Sequence, residues 1–503
     1  METLAAIVHG FSIALQPINI FYTFLGVLMG TVIGVLPGIG PSAAIALLIP
    51  VTYGMNPTSA LIMLAGIYYG AQYGGSTTSI LINTPGEASS VMTAVDGYQM
   101  AKKGRAGAAL AASAWGSFIA GTLSIIGLTL LSVPLANFAL RFGPPEYFLL
   151  MLFAMTAVSS LTGKSPAKAM ISTVVGLMIA TVGVDLQSGQ SRFTFGIIFL
   201  EDGVGFLIIA VGLFAISEVL HVMAEMFRGK VEILRVQGAL SMTREEWRRA
   251  LAPMLRGSFI GFFVGVLPGA GGVISTILSY VTEKRLSKHP EEFGQGAIEG
   301  VAGPESANNA CTSGAMVPML ALGIPGSATT AVLLGALMLY GIRPGPLLFR
   351  NQPDLVWGLI DSMYVGNLML LVLNLPLIAV FVRLLHIPSG ILMPLVMALA
   401  TIGIYAINNN PFELHLALFF GILGYLFRKV EIPLAPLVLA VVLGAPMEES
   451  FRQSLLISGG RISIFVSSGV ATTLAVMSAL SIAVPLLFPI IGKWRAGPED
   501  PNA

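Results

Sequence analysis

Two runs of glycine at every fourth position, each ending in a Pro-Gly pair, constrain this chain more than any other feature. The runs are Gly26, Gly30, Gly34, Gly38 and Gly257, Gly261, Gly265, Gly269. Glycines four residues apart line one face of a helix and let a second helix approach to backbone contact. Proline removes an amide donor and glycine favours non-helical torsions, so neither continues a helix. Each run therefore predicts a closely packed helix that is interrupted at its end.

The two runs belong to an internal repeat. The pentapeptide Gly-Val-Leu-Pro-Gly occupies 34–38 and 265–269, which are 231 positions apart (265 − 34). A second pair of breaks, Thr84-Pro85-Gly86 and Ile324-Pro325-Gly326, is 240 positions apart (325 − 85). We therefore expect two related membrane halves, residues 1–224 and 257–503. If each half crosses the membrane an odd number of times the repeats are inverted, as is common among transporters, and inversion is the arrangement we expect.

The composition requires a lipid environment. Hydrophobic residues make up 55% of the 503 residues and charged residues only 10%, against about 25% charged residues in soluble domains. So few charges cannot cover the surface of a water-soluble protein of this size. Because a spanning helix needs about 20 apolar residues, the apolar segments predict an all-α polytopic membrane protein with roughly ten to thirteen transmembrane helices, some re-entrant or broken.

Residues 225–256 form the one long polar segment, and their basic charge predicts a linker at the cytoplasmic surface. Its basic residues are Arg228, Lys230, Arg235, Arg244, Arg248, Arg249 and Arg256. Within it, Thr243 is followed three residues later by Glu246, which is typical of a capping box. We interpret this part as an interfacial helix that joins the two halves.

The first break of each half is a candidate binding site. Broken backbone at membrane depth is tolerated only inside protein or along a cavity, and the amide end of a following half-helix favours an anion. The candidate substrate-binding residues here are Pro37, Gly38, Gly40, Ser42, Pro268, Gly269 and Gly271. For Gly26, Gly30, Gly257 and Gly261 we expect a packing role only.

Polar residues accompany the second break of each half. The candidates are Ser76, Thr77, Thr78, Asn83, Thr84, Gly86, Ser306, Asn308, Asn309, Gly326 and Ser327. Hydroxyl and amide side chains in apolar segments need partners, and a polar substrate is one possible partner. Serine and threonine also bond carbonyls of their own helix without any further role. The matching position of two such clusters favours a binding function.

Carboxylates inside apolar segments are costly and are candidates for function. The acids in such surroundings are Glu87, Asp96, Glu299, Glu305 and Asp361. Glu87 and Glu305 flank the breaks, so we expect one of them to couple a proton or another cation. Asp185, Glu201 and Asp202 border a polar loop, and we expect them to be solvated.

Other chemistries fit the sequence poorly. Thr162-Gly163-Lys164-Ser165 ends like a phosphate-binding loop, but Val158 stands where the first glycine belongs. The five histidines have no metal-ligand spacing, and Ser76 has no histidine partner for an intramembrane protease. We therefore predict no enzyme activity, no metal, no cofactor and no nucleic-acid partner. The alternative to a transporter that remains is an ion channel whose pore the broken helices would line.

These motifs resemble the large membrane subunit of the tripartite tricarboxylate transporters, the TctA family. The resemblance lies in the segments 34–41, 73–79, 83–86, 265–269 and 303–309. It implies a multi-pass protein of the bacterial inner membrane that imports tri- or dicarboxylates, driven by a proton or sodium gradient. It also implies two partners, a periplasmic solute-binding protein and a small membrane subunit of about four helices.

Overall fold

The computed structural model describes residues 2–162, 165–185, 187–225, 234, 239–385 and 387–495. These residues are almost entirely helical and include one short antiparallel pair of strands, β1 (Gly183–Val184) and β2 (Ser191–Arg192). Over the same residues, nine helices are long and apolar enough to cross a membrane, and five shorter apolar helices accompany them. The expected all-α polytopic membrane architecture is confirmed. Of the residues discussed above, Gly163, Lys164, Arg228, Lys230 and Arg235 lie outside the described ranges.

In chain order the helices are α1 (Glu2–Ala14), α2 (Pro17–Gly34), α3 (Pro41–Leu48), α4 (Pro57–Ile82), α5 (Val91–Lys102), α6 (Ala106–Ala139), α7 (Pro144–Leu161), α8 (Pro166–Ala180), α9 (Phe206–Ala210), α10 (Ser217–Glu225), α11 (Arg244–Val266), α12 (Gly271–Leu286), α13 (Glu299–Leu322), α14 (Ala328–Leu339), α15 (Leu348–Asn351), α16 (Pro353–Asn374), α17 (Ile378–Leu384), α18 (Ser389–Asn408), α19 (Pro411–Lys429), α20 (Leu434–Ser458) and α21 (Gly469–Arg495). A π-helical turn, Val211–Ile216, joins α9 to α10, and a 3-10 turn, Ile49–Thr52, extends α3.

The chain forms two compact units. One unit consists of Met1–Leu140 and Gly205–Leu426, and the other of Arg141–Val204 and Phe427–Ala503. Both glycine runs and all four breaks belong to the first unit. The division into repeat halves at 1–224 and 257–503 concerns sequence equivalence rather than compactness, and it stays a prediction.

The first glycine run lies against the backbone of α4. A Cβ on any of three glycines of α2 would come closer than 3.0 Å to a carbonyl oxygen of α4, so no side chain fits there. The contacting pairs are Gly26–Met63, Gly30–Ile67 and Gly34–Ala71. Because both numbers rise together, α2 and α4 run parallel, and the short apolar segment Pro41–Thr52 returns the chain between them.

The second glycine run repeats this packing against α13. The contacting pairs are Gly257–Gly303, Gly261–Ala307 and Gly265–Cys311, so α11 and α13 also run parallel, and α12 returns the chain. Each residue contacted on α13 stands 240 positions after the residue contacted on α4. The packing role expected for Gly26, Gly30, Gly257 and Gly261 is confirmed.

The start of α11 corrects one expectation. Thr243 caps the helix as predicted: the Glu246 amide donates to Thr243 Oγ1 at 3.2 Å, and the Thr243 amide donates to Glu246 Oε2 at 2.7 Å. However, α11 continues without a break from Arg244 through the glycine run to Val266. The segment is therefore the first part of a membrane-length helix rather than a separate interfacial helix.

In the second unit, the expectation that Asp185 is solvated is wrong. The residue is only 8% exposed, and its carboxylate lies 3.1 Å from the Arg452 guanidinium. The Gln187 amide and the Ser188 hydroxyl also donate to it. The bonds from Gln187 and Ser188, together with Arg452, lower the pKa of Asp185 from 3.8 to about 2. Glu201 and Asp202 are exposed, as expected.

Candidate functional site

All four breaks occur where the sequence predicts them. The first breaks separate α2 from α3 and α11 from α12, with Gly38 at φ +84° and Gly269 at φ +82°. The second breaks follow α4 and α13, which end at residues in the left-handed conformation, Asn83 (φ 53°) and Gly323 (φ 73°). Glycine adopts positive φ without a steric penalty, so the Pro-Gly pairs of the first breaks have the expected conformation. The second breaks turn two residues before their Pro-Gly pairs begin, at Asn83 and Gly323.

The polar clusters that precede the second breaks lie inside intact helices. Ser76, Thr77 and Thr78 belong to α4, and Ser306, Asn308 and Asn309 belong to α13. All six are buried. The sequence grouped these residues with the breaks, but only Asn83, Thr84, Gly86, Gly326 and Ser327 lie in broken backbone. The helical residues instead belong to the buried centre of the first unit.

The two breaks of each half meet. A Cβ on Gly86 would lie 2.9 Å from the Gly34 carbonyl oxygen, and a Cβ on Gly326 would lie 2.9 Å from that of Gly265. The Gly269 amide donates to the Gly326 carbonyl at 3.0 Å. Each second break therefore lies directly against the end of the glycine run of its own half.

Both second breaks end in the same local structure. Glu87 is the N-cap of the 3-10 turn Ala88–Ser90, and Ser90 completes a capping box with it. Ser327 is the N-cap of α14, and Thr330 completes a capping box with it. The chain thus resumes helical structure at equivalent places, 240 positions apart, with an acid in one half and a hydroxyl in the other.

Each cap is contacted by a side chain from the other half. Asn308 of α13 donates to Glu87 Oε1 at 2.8 Å, and the Tyr68 side chain of α4 lies beside Ser327. Between these contacts the Gln72 amide lies 3.3 Å from the Thr312 hydroxyl. With its amide nitrogen turned toward the acid, Gln72 also donates to Glu87. The breaks and the crossing of α4 with α13 therefore form one polar centre.

Glu305 lies in the same centre and is fully buried. Its carboxylate accepts hydrogen bonds from Thr93 at 2.9 Å, Ser117 at 3.1 Å and Asn309 at 3.0 Å. The Ser76 side chain of α4 also lies beside this carboxylate. Asn309 also donates to Ser117 at 2.7 Å, while its Oδ1 is buried without a partner among the described residues. Four helices, α4, α5, α6 and α13, thus supply oxygen and nitrogen atoms around one carboxylate.

The other candidate residues differ in their burial and in their distance from this polar centre. A Cβ on Gly40 would lie 3.7 Å from Glu87 Cβ, whereas Gly271 (φ +58°) borders open space. Thr78 and Thr84 bond backbone carbonyls of Gly75 and Ile82, which is the local role that threonine often has. Pro37, Ser42 and Pro268 are half-buried.

Glu218 of α10 is a residue of this region that the sequence did not single out. It is only 3% exposed, and its Oε1 lies where it would be 2.7 Å from a Cβ on Gly38. The sequence could have indicated Glu218, since it is a carboxylate at the end of an apolar segment. Gln72 and Tyr68 were missed for another reason. Amide and tyrosine side chains inside a helix indicate a site only when the helix that crosses it is known.

The remaining acids have other environments. Asp96 Oδ1 accepts three backbone amides, those of Gly294, Gly296 and Ala297, so it anchors the loop before α13. Glu299 pairs with Arg249 at 2.7 Å. Asp361 of α16 is buried, and its carboxylate has no hydrogen-bond partner among the described residues. These three acids lie outside the contacts that join the breaks.

Broken helices that meet at a buried polar centre, in a chain of membrane-length helices, define a membrane transport protein. The chain belongs to the tripartite tricarboxylate transporter TctA family, whose profile matches residues 20–439. This is a family of transporters rather than enzymes, and a tripartite system implies a binding protein and a small subunit as further components.

Two relatives from Agrobacterium vitis are similar to this chain. The "Uncharacterized 52.8 kDa protein in TAR-I ttuC' 3'region" is 48% identical over 98% of both chains. The "Uncharacterized protein in TAR-II ttuC' 3'region" is 47% identical over 46% of this chain and 96% of its own length. No solved structure matches the chain. The similarity to the first relative extends over nearly the full length, so the aligned region spans the positions of both glycine runs and all four breaks.

Proposed function

We propose that this chain is the membrane subunit through which tri- or dicarboxylates enter the cell, coupled to a proton or sodium gradient and moved by alternating access. The observation that carries this proposal is the meeting of four helix breaks at one buried polar centre that holds Glu87 and Glu305. Interrupted helices at corresponding places in two halves are where secondary transporters bind substrate and ion. In this proposal backbone amides and hydroxyl groups of the breaks hold the carboxylate.

The contacts between the halves support an inverted repeat. Three side-chain contacts join α4 to α13: Tyr69 with Ser313, Gln72 with Thr312, and Ser76 with Glu305. The partner number on α13 falls as the number on α4 rises, so the two helices cross in opposite directions. Equivalent helices that run in opposite directions are expected of halves with opposite topology. Alternating access then follows from one part moving against the other.

The proposal also specifies partners and place. A periplasmic solute-binding protein delivers the carboxylate, and a small membrane subunit of about four helices completes the complex in the bacterial inner membrane. The family membership supports this arrangement. Coupling by either Glu87 or Glu305 is compatible with both ions, because each carboxylate can take a proton or contribute oxygen ligands to sodium.

The test is uptake of radiolabelled citrate, succinate and malate into proteoliposomes that contain the chain, its small subunit and its binding protein. Proton and sodium gradients are imposed separately. We expect saturable accumulation that requires one of the gradients and is lost without the binding protein. Ion current without accumulation would instead identify a channel, and accumulation that ignores both gradients would contradict ion coupling.

A further inference from the structure

The glycine contacts provide a residue-by-residue equivalence between α4 and α13. Met63, Ile67 and Ala71 receive the glycines of α2, and Gly303, Ala307 and Cys311 receive those of α11. Every pair differs by 240, and the same offset relates the helix ends and the caps that follow. Positions 240 apart on these segments therefore have the same place in their half.

With this equivalence, the polar centre resolves into two matched triads. One triad consists of Gln72, Asn308 and Glu87, and the other of Thr312, Tyr68 and Ser327. In the first triad Asn308 and Gln72 contact the cap Glu87, and in the second Tyr68 lies beside both the cap Ser327 and Thr312. Gln72 and Thr312 are themselves equivalent and contact each other, so they lie at the centre of the repeat.

The triads match in position but differ in charge. The cap is an acid in the first triad, Glu87, and a neutral hydroxyl in the second, Ser327. The second buried acid, Glu305, also has no acidic counterpart in the other half. The position equivalent to it is Ala65, which is 1% exposed. Asn308 contacts Glu87, and its neighbour Asn309 contacts Glu305, so both acids belong to one side of the centre.

We propose that the site is divided by charge: the substrate carboxylate binds at Ser327, Tyr68 and Thr312, and the coupling cation binds at Glu87, Asn308 and Glu305. This inference rests on the proposed function and assigns its two ligands to separate places. An anion next to Glu87 and Glu305 would be repelled in a medium of low dielectric constant, whereas a cation there is attracted. The neutral triad offers three hydroxyl donors.

The helix that follows each cap reinforces the division. Ser327 caps α14, a helix of 12 residues whose first amides face the cap, and such a helix start attracts negative charge. Glu87 caps only the three-residue turn Ala88–Ser90, and its own carboxyl group occupies the place that an anion would take. The two caps therefore present opposite preferences at equivalent positions.

The experiment separates the two ligands by measuring two constants in the reconstituted three-component system. For whichever of citrate, succinate and malate accumulates most, KM is measured at saturating gradient, and the half-saturating ion concentration is measured at saturating carboxylate. We expect Tyr68→Phe and Ser327→Ala to raise KM at least tenfold and to change the ion constant less than twofold. We expect Glu87→Gln and Glu305→Gln to abolish or weaken ion dependence at least tenfold while carboxylate exchange without a gradient persists.

Tyr340→Phe is the matched control, because the partly buried Tyr340 hydroxyl bonds Thr52 and takes no part in the crossing of α4 and α13. Its KM should stay within twofold of the wild type, which separates loss of a tyrosine hydroxyl from loss of the Tyr68 contact. Equal shifts of both constants in Tyr68→Phe, or a raised KM with unchanged ion dependence in Glu87→Gln, would overturn the division while leaving the transporter proposal intact. Absence of accumulation by the wild-type complex would overturn both. Variants that fail to give a monodisperse protein are replaced by Thr312→Val and Asn308→Asp.

Discussion

At the scale of single residues, Gly38 and Gly269 connect the sequence to the site. Both adopt positive φ at the first breaks, where a residue with a Cβ costs about 1–2 kcal/mol. Gly38 has a second constraint, since the buried carboxylate of Glu218 lies against it. The sequence could predict this conformation because Pro-Gly after a helix allows few alternatives, but it could not indicate Glu218, which arrives from a distant helix.

Replacing these glycines should stop transport without preventing membrane insertion. We expect Gly38→Leu and Gly269→Leu each to abolish carboxylate uptake, because leucine strains the break and occupies the space beside it. The measurement is uptake in proteoliposomes together with the amount of monodisperse protein recovered. Gly54→Leu is the control, since Gly54 has the same backbone conformation (φ +81°) with no atom within 4 Å of a Cβ. Unaltered uptake in the first two variants would contradict the site assignment.

Asp185 allows a prediction of pH dependence. Its pKa is about 2 in the folded protein, below its ordinary value of 3.8, so its charge stabilises the fold above pH 4. That contribution is lost as the pH falls toward 2, because the carboxylate then takes up a proton in the folded state as well. We expect Asp185→Asn to lower the thermal unfolding temperature in detergent at pH 7 and to differ less from the wild type near pH 2.

The matched control for Asp185→Asn is Asp202→Asn, because Asp202 is exposed on the same unit. It should unfold at the wild-type temperature at both pH values. A difference between Asp185→Asn and the wild type that is equally large at pH 7 and near pH 2 would show that the charge of Asp185 is not what stabilises this unit.

At the scale of helices, the glycine faces of α2 and α11 set how closely the helices pack. At Gly30 and at Gly261, a carbonyl oxygen of the partner helix lies closer than 3.0 Å to the position that a Cβ would take. Gly30→Ala and Gly261→Ala should therefore lower stability by about 1–3 kcal/mol, as overpacking does. Thermal unfolding in detergent measures this effect. Gly469→Ala is the control, because no atom lies within 4 Å of a Cβ there, and it should leave the unfolding temperature unchanged or slightly raised.

Helix ends were predictable and helix lengths were less so. Pro-Gly pairs, the glycine spacing and the Thr243–Glu246 capping box are local signals, and each lies in the structure where the sequence indicates it. The continuation of α11 through Arg256 was not predictable from charge, because arginines at a membrane surface occur both in loops and in the first turns of spanning helices. Likewise, the polarity of Ser76 and Asn308 suggested broken backbone, whereas both lie in intact helices that bury polar groups against each other.

At the scale of the whole molecule, the internal repeat relates the contacts of α4 to those of α13. The equal offset of 240 between the residues that receive the glycines is a relation of backbone contacts, which the sequence indicated only through two short motifs. The sequence could identify Glu87 and Glu305 as unusual acids, but it could not pair Glu87 with Asn308 or Tyr68 with Ser327. Those contacts depend on the crossing of α4 and α13, which no local pattern encodes.

Cys311 allows the most direct test of the central claim that the crossing of α4 and α13 is where the carboxylate binds. It is the only cysteine of the chain, it is 4% exposed on α13 next to Thr312, and it therefore needs no engineered background. The measurement is the rate at which a maleimide labels the thiol in the reconstituted complex, with and without saturating transported carboxylate, and Cys311→Ser gives the unlabelled baseline. We expect the thiol to be labelled in the absence of carboxylate and labelling to slow several-fold when carboxylate is added. A labelling rate that the carboxylate leaves unchanged, in a preparation that accumulates it, would contradict the account.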